Sequence, residues 1–275
     1  MNGKLYIVAT PIGNLEDITL RAIKILGQVD IIVAEDTRHT LGLLNHLNIT
    51  KPLISYYKQV ENTKSDKLVE ILLEGKNIAL VSDAGTPGIS DPGEVIIKKA
   101  IENNIEVIPI PGACAMINAI IACGLSTRQF VFIGFLPVNN GEKKEILQKL
   151  KYETKTLIFY EAPHKIKNTL STIYEEFGDR QCSLARELTK IHEEFIRGKI
   201  SEILEKLDDV KGEFVIIIEG NNKTEEEYNK EKLNEITLEE HYLFYEKQGL
   251  DKKEIIKKIA KDRNVPKNEI YKQFL

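Results

Sequence analysis

The sequence predicts an α/β protein with two α/β domains, the first on a parallel sheet and the second on a mixed sheet, followed by a small helical domain. Three observations predict it. Up to about residue 110, short apolar runs alternate with stretches of helical periodicity, the pattern of a mostly parallel sheet covered on both faces. Beyond residue 130 strand-like runs follow one another closely, and two of them leave no room for a crossover helix, so they pair antiparallel. The segment Asn221–Lys232 is polar and charged and reads as a linker, after which Gly249 and Pro266 punctuate three helical patterns. The expected divisions are 1–125, 126–222 and 223–275.

The elements of the first domain follow in order. Lys4–Ala9 is a buried strand, and the next helix is expected to be capped by Asp17, with Leu20, Ile23 and Leu26 on its apolar face. Strands at Asp30–Glu35 and Pro52–Tyr57 precede helices, the second of them stopped by Gly75. Asn77–Ser82 is a fourth strand and Ile105–Ile110 a fifth. The apolar run Ala113–Leu125 is too short to span a bilayer, contains Asn118 and reads as a buried helix. In the second domain strands are expected at 130–136, 155–162, 180–187, 193–200 and 213–220, with helices near 142–150 and 166–177.

Composition narrows the function. An apolar fraction of 42% and a charged fraction of 29% are those of a globular protein without a membrane partner. A net charge of −4 argues against a protein that coats bare nucleic acid, though not against an enzyme with local basic patches. Cys114, Cys123 and Cys182 have neither disulfide-framework nor zinc spacing, and no metal site is expected. With no signal-peptide core at the N-terminus, a cytoplasmic location is expected.

The most tightly specified stretch is DAGTPGISDPG, Asp83 to Gly93. Its glycines and prolines exclude a helix or a central strand. It lacks the spacing of a phosphate loop, and Asp83 and Asp91 would repel a phosphate. Carboxylates with close backbone approach suit a thin ligand carrying hydroxyl or ammonium groups, a description that S-adenosylmethionine meets. Alone, such a loop more often only reverses the chain. Two more turn-rich segments, ATPIGN and PIPGACA, end other strands of the same sheet, at the edge where open α/β sheets bind ligands.

The ordered set LYIVATPIGNLEDIT, AEDTRHT, VSDAGTPGISDPG, PGACA, FYEAPHK, ARELTK and GEFV resembles the tetrapyrrole-methylase superfamily. Within it the set is similar to the bacterial branch that methylates a ribose 2′-oxygen of 16S ribosomal RNA. The resemblance runs from Leu5 to about Gly220, and the tail beyond Thr237 is similar to that branch's small helical domain. It implies a homodimer, S-adenosylmethionine as methyl donor and 16S RNA of the small subunit, a cytidine ribose, as acceptor. Donor contacts are implied for Pro11, for Asp83, Ala84, Gly85, Ile89 and Ser90, and for Cys114 and Ala115. Tyr160, Ala162, Leu188 and Phe214 complete the implied set. Cys114 stands where serine or threonine is common, and Lys165 where arginine is common.

Methyl transfer from a sulfonium depends on positioning, and a ribose hydroxyl needs help to lose its proton. The catalytic candidates are Asp36 and Arg38 in AEDTR and Arg186 and Glu187 in ARELTK, with Glu35 and Lys190 beside them. The competing readings are a capped helix start at Asp36 or Thr37 and a structural ion pair between Arg186 and Glu187. His164 is a further candidate base, although a histidine at a helix start is more often structural. The alternatives for the whole chain are a tetrapyrrole C-methyltransferase and a non-catalytic helix-turn-helix regulator.

Overall fold

The computed structural model describes residues 2–207 and 212–274. It divides into two compact units, residues 1–144 with 156–219, and residues 145–155 with 220–275.

Unit 1 holds both sheets. The first comprises β1 (Leu5–Val8), β2 (Ile31–Ala34), β3 (Leu53–Ser55), β4 (Ile78–Val81) and β5 (Val107–Ile110), in the order β3-β2-β4-β1-β5. Every pairing is parallel. Helices α1 (Leu20–Gln28), α2 (Thr37–His46), α3 (Glu61–Leu73) and α4 (Glu94–Glu102) connect the strands. Successive residues of one strand enter two separate cores. Leu5, Ile7, Ile78 and Leu80 pack with Leu68, Leu72 and Ile96, whereas Val8, Ala79 and Val81 pack with Ala22, Leu26 and Leu44. Burial on both faces explains why these strands read as continuous apolar runs.

The start of α1 differs from expectation. Asn14 accepts from the Glu16 N–H and opens a single 3-10 turn over Leu15–Asp17, and Thr19, not Asp17, caps α1 through the Ala22 N–H. Leu20 is therefore the first helical residue and is 87% exposed, while Ala22 and Leu26 face the core. Helix α5 (Ala115–Ala122) buries Ala119 and Ile120 but leaves Ile121 exposed, so the expected buried helix is buried on one side.

The second sheet comprises β6 (Phe130–Phe135), β7 (Thr156–Glu161), β8 (Gln181–Arg186), β9 (Glu194–Lys199) and β10 (Phe214–Ile218), ordered β6-β7-β10-β8-β9. Only β6 and β7 are parallel; β8 and β9 pair antiparallel, as their spacing required. Helix α6 (Asn140–Leu150) links β6 to β7, and α7 (Ile166–Phe177) links β7 to β8. A short helix absent from the sequence reading, α8 (Ile200–Lys206), follows β9. Ile158, Ala185, Val215 and Ile217 form one apolar face with Ala119 and Ile120 of α5 and with Cys123, which follows it. The boundary expected at residue 125 lies between α5 and β6, and we retain it as a proposed division because each side carries its own sheet.

Unit 2 contains, among the described residues, the end of α6 and four helices of the tail, α9 (Glu225–Glu235), α10 (Leu238–Glu246), α11 (Lys252–Asp262) and α12 (Lys267–Gln273). Residues 145–155, which the sequence places in the second domain, cluster with this tail. The Asn221 N–H donates to the Glu153 carbonyl at 2.7 Å, and the Tyr152 and Tyr228 rings lie 5.2 Å apart. The stretch read as a linker is largely α9. Thr224 and Glu227 close a capping box, and Leu233 packs on the tail core of Ile255, Ile256, Ile259 and Ile270. Capping boxes also start α10 at Thr237 and α11 at Asp251. Fully buried His241 accepts a hydrogen bond at Nδ1 from the Arg263 Nε, and Asp262 accepts one from the Tyr245 hydroxyl.

Candidate active site

Because β1 lies between β4 and β5, the loops leaving these three strands are neighbours. Thr10 and Gly85 exchange backbone hydrogen bonds of 2.8 and 3.1 Å, tying the first loop to the second. The Thr86 hydroxyl donates to the Ala113 carbonyl at 3.0 Å, tying the second to the third. The Asp36 N–H donates to Asp83 Oδ1 at 2.9 Å and adds the loop after β2. Glu61 at the start of α3 accepts from the Gly93 N–H at 2.7 Å and anchors the far end of the aspartate loop.

Together with the ends of β6, β7, β8 and β10, these loops enclose a cavity of about 280 Å³. Backbone conformation shapes its walls. Ser90 (φ 65°) and Glu187 (φ 52°) adopt the left-handed region that side chains other than glycine rarely occupy, the kind of strain that clusters at functional sites. Gly134 (φ 76°) lies at a bulge in β6, and a Cβ there would come within 3.1 Å of Ser90 Oγ, so glycine lets the strand approach the loop. The Tyr160 hydroxyl accepts the Met116 N–H at 3.0 Å, joining the end of β7 to the first turn of α5.

The lining has two characters. Ile12, Ile89, Phe135, Tyr160, Leu188 and Phe214 provide apolar surface. Among the described residues, Glu35, Asp83, Asp91, Glu161, Glu187 and Glu213 provide six carboxylates to the lining, against one ammonium, that of Lys190. Burial, followed by the charges of Glu35 and Asp83, pushes Asp91 up to about 6. Burial likewise raises Glu35, with Asp83 and Glu61 adding to it. Burial raises the Tyr160 phenol, which stays neutral. Carboxylates crowded enough to raise Asp91 and Glu35 favour a cationic guest.

Most of the residues implied as donor contacts line this cavity: Asp83, Ala84 and Gly85, Ile89 and Ser90, and Cys114 and Ala115. Tyr160, Leu188 and Phe214 do so from the second sheet. Pro11 and Ala162 do not; their neighbours Ile12 and Glu161 take those places. Cys114 occupies the N-cap of α5 without a side-chain capping bond, so the hydroxyl contact expected of serine or threonine is absent there.

The four catalytic candidates separate. Glu187 lines the cavity and pairs with Lys190 at 2.8 Å. Arg186 does not line it and does not pair with Glu187. It lies opposite Glu194 in the β8–β9 register and bonds that carboxylate at 2.6 Å. Asp36 caps α2 through the Arg38 N–H and accepts the Arg38 guanidinium at 2.8 Å, which holds its carboxyl down at about 2. The Arg38 side chain is 90% exposed, and neither residue lines the cavity. His164 is exposed and also lies outside the lining. Cys123 and Cys182 are core residues.

Ile12, Thr86, Glu161, Glu213 and Val215 also line the cavity; they fall within the motifs that carry the family resemblance but were given no role of their own, and Phe135 lies outside those motifs. Glu161, Glu213, Val215 and Phe135 sit at ends of strands in the second sheet, whose proximity to the first sheet no local pattern encodes. The described residues contain no cluster of side chains able to hold a metal ion.

The family model for tetrapyrrole (corrin/porphyrin) methylases matches residues 4–204. A Bacillus subtilis (strain 168) protein named ribosomal RNA small subunit methyltransferase I is 48% identical over 99% of this chain and 94% of its own length. The protein of the same name from Halalkalibacterium halodurans is 49% identical over 98% of this chain and 93% of its own. Among solved structures, the methyltransferase CobJ matches with a TM-score of 0.60 and 18% identity over 80% of this chain and 95% of its own. A Thermus thermophilus uroporphyrin-III C-methyltransferase, complexed with S-adenosyl homocysteine, matches with a TM-score of 0.58 and 15% identity over 79% of this chain and 97% of its own. At those identities the structures establish the fold alone, while the sequence matches establish kinship: the chain belongs to the tetrapyrrole (corrin/porphyrin) methylase family.

Proposed function

We propose that the chain transfers a methyl group from S-adenosylmethionine to ribosomal RNA of the small subunit, and more finely to a ribose 2′-oxygen, a cytidine in 16S RNA. The observation that carries the acceptor is the likeness, over nearly the whole chain, to proteins named for small-subunit ribosomal RNA methylation. The family model ends at residue 204, whereas those relatives match 98–99% of the chain, its helical tail included. This favours the RNA branch over a tetrapyrrole C-methyltransferase. The large body with its acid-lined cavity disfavours a purely regulatory protein.

The cavity fits the donor chemically. S-adenosylmethionine supplies a methyl group on a sulfonium, already activated for displacement by an oxygen nucleophile. Asp83 and Asp91 offer carboxylates to its cationic and hydroxyl groups, and Ile89, Leu188 and Phe214 offer apolar surface to its base. Pro11 and Ala162 belong to the same loops and are assigned a supporting part. On the acceptor side, Arg38 and Arg186 are proposed to meet RNA phosphates from outside the cavity. Asp36 keeps the Arg38 guanidinium in place. We assign Glu187 and Glu35, both lining carboxylates, to take the hydroxyl proton; burial raises Glu35, which makes it the stronger base once ionised. We include in the proposal a homodimer and a cytoplasmic setting; among the described residues no helix is long and apolar enough to cross a membrane.

Labelled S-adenosylmethionine incubated with the protein and unmethylated small subunits tests the reading. Label recovered on a 2′-O-methylated nucleoside of the RNA is expected. Transfer only to a uroporphyrinogen-type acceptor, or to neither, overturns it.

A further inference from the structure

We infer that Lys143 and Thr169, neither of which touches the cavity, are positioning residues for its Glu161 wall. The inference rests on the reading of the cavity as the donor site. Lys143 is 3% exposed, Thr169 0% and Glu161 4%, so three polar side chains from α6, α7 and β7 meet out of water. Lys143 Nζ donates to Thr169 Oγ1 at 3.0 Å and to Asn168 Oδ1 at 3.2 Å. The Thr169 hydroxyl lies 2.6 Å from Glu161 Oε2, and Glu161 Oε1 accepts the Ala162 N–H at 2.9 Å.

The direction of the chain is fixed by its donors. An ammonium only donates and a carboxylate only accepts, so the threonine takes a proton contact from the lysine and passes its own to the glutamate. Burying an unpaired ammonium or carboxylate is costly, and here each is answered by the other through one hydroxyl. Lys143 thus has a charge partner that it never touches.

What this strut holds in place is the end of β7. Glu161 follows Tyr160, whose hydroxyl fixes the first turn of α5, and it lies opposite Phe214 in the β7–β10 register. All three of these β7 and β10 residues line the cavity. Losing the hydroxyl leaves Glu161 with a vacant oxygen, free to turn into the cavity and shift the donor.

Thr169→Val keeps the side-chain shape and removes the hydroxyl, whereas Thr169→Ser keeps the hydroxyl and removes a methyl group. Calorimetric titration with S-adenosylhomocysteine and steady-state methylation of small subunits are the measurements. Thr169→Val and Lys143→Met are each expected to weaken S-adenosylhomocysteine binding about tenfold or more, as for the loss of a hydrogen bond to a charged group. The KM for the donor should rise with them, kcat at saturating donor should stay near wild type, and Thr169→Ser should bind within about twofold of wild type. Should Lys143→Met fail to fold, the threonine pair decides alone. Wild-type affinity in Thr169→Val, or equal weakening in Thr169→Val and Thr169→Ser, overturns the inference. A wild-type chain that does not bind S-adenosylhomocysteine overturns the reading of the cavity, and the inference with it.

Discussion

Asp91 shares a half-buried wall with Glu35 and Asp83, and folding raises its carboxyl from 3.8 to about 6. The sign of the consequence follows from proton linkage. Between about pH 4 and 6 the unfolded chain has released this proton and the folded chain still holds it, so raising the pH favours unfolding. Whatever stability the neutral carboxyl permits is fully present below the unfolded value and lost as pH rises through about 6. Asp91→Asn removes the effect. The Tm difference between the variant and wild type is expected to be near zero at pH 4, to grow as pH rises and to level off in the variant's favour above about pH 6. A cationic guest needs the ionised form, so the same substitution is expected to weaken S-adenosylmethionine binding at pH 7.5 by about tenfold. A Tm difference that does not vary with pH would remove Asp91 from this account. The sequence made Asp83 and Asp91 legible as groups unfriendly to phosphate, because both stand in one loop. It could not show that Glu35 and Glu213 face the same space, since those residues reach it from other strands.

At the scale of elements, the turns after β1, β4 and β5 were legible because glycine and proline leave the backbone few options. Their adjacency was not legible, because it depends on β1 lying between β4 and β5 and no local pattern encodes strand order. Helix α9 was missed for a different reason. It presents no apolar stripe, and its one local signal is Thr224 three residues before Glu227. The Arg186–Glu187 ion pair, one of the two competing readings, does not form: Glu187 leaves the end of β8 in a left-handed conformation and pairs with Lys190, whereas Arg186 and Glu194 are cross-strand partners. The turn after β5 offers a direct test of how the loops shape the site. A Cβ on Gly112 would come within 2.8 Å of the Ala9 Cβ at the buried end of β1. Gly112→Ala must therefore move this turn, and with it Cys114 and Ala115. We expect a stability loss of about 1–3 kcal/mol in denaturant unfolding, the usual cost of overpacking. Binding of S-adenosylhomocysteine, followed by calorimetry, is expected to weaken alongside it; a variant that loses stability yet binds as wild type would show that this turn does not shape the site.

For the whole molecule, the distribution of charge separates the tail from the rest. The total is −4, yet Lys247–Leu275 carries nine basic and four acidic side chains, while Lys223–Glu246 carries three lysines and eight acids. The structure shows how α11 divides its faces. Ile255, Ile256 and Ile259 are buried in the tail's own core, and Lys253, Lys257 and Lys261 remain exposed at i, i+4 spacing. The tail therefore supports its own apolar core and leaves its lysines to solvent or to a partner. The acidic segment before it is a capped helix rather than a loose tether, so the basic face is carried on ordered structure. A solvated lysine face is the ordinary outcome for such a helix. What favours an RNA anchor here is the concentration of basic charge in a protein that is acidic overall, in a chain whose relatives are named for ribosomal RNA methylation. Each phosphate contact releases counterions and steepens the salt dependence of binding. Deleting Thr224–Leu275 is therefore expected to leave S-adenosylmethionine affinity intact, to weaken binding to small ribosomal subunits and to flatten its dependence on salt. Replacing Lys253, Lys257 and Lys261 by alanine in the full-length chain should reduce the slope of log K against log salt by about 2–3, which separates loss of charge from loss of fold. If both variants bind and methylate small subunits like wild type from low to physiological salt, the tail is not an RNA anchor and its lysine face is merely solvated.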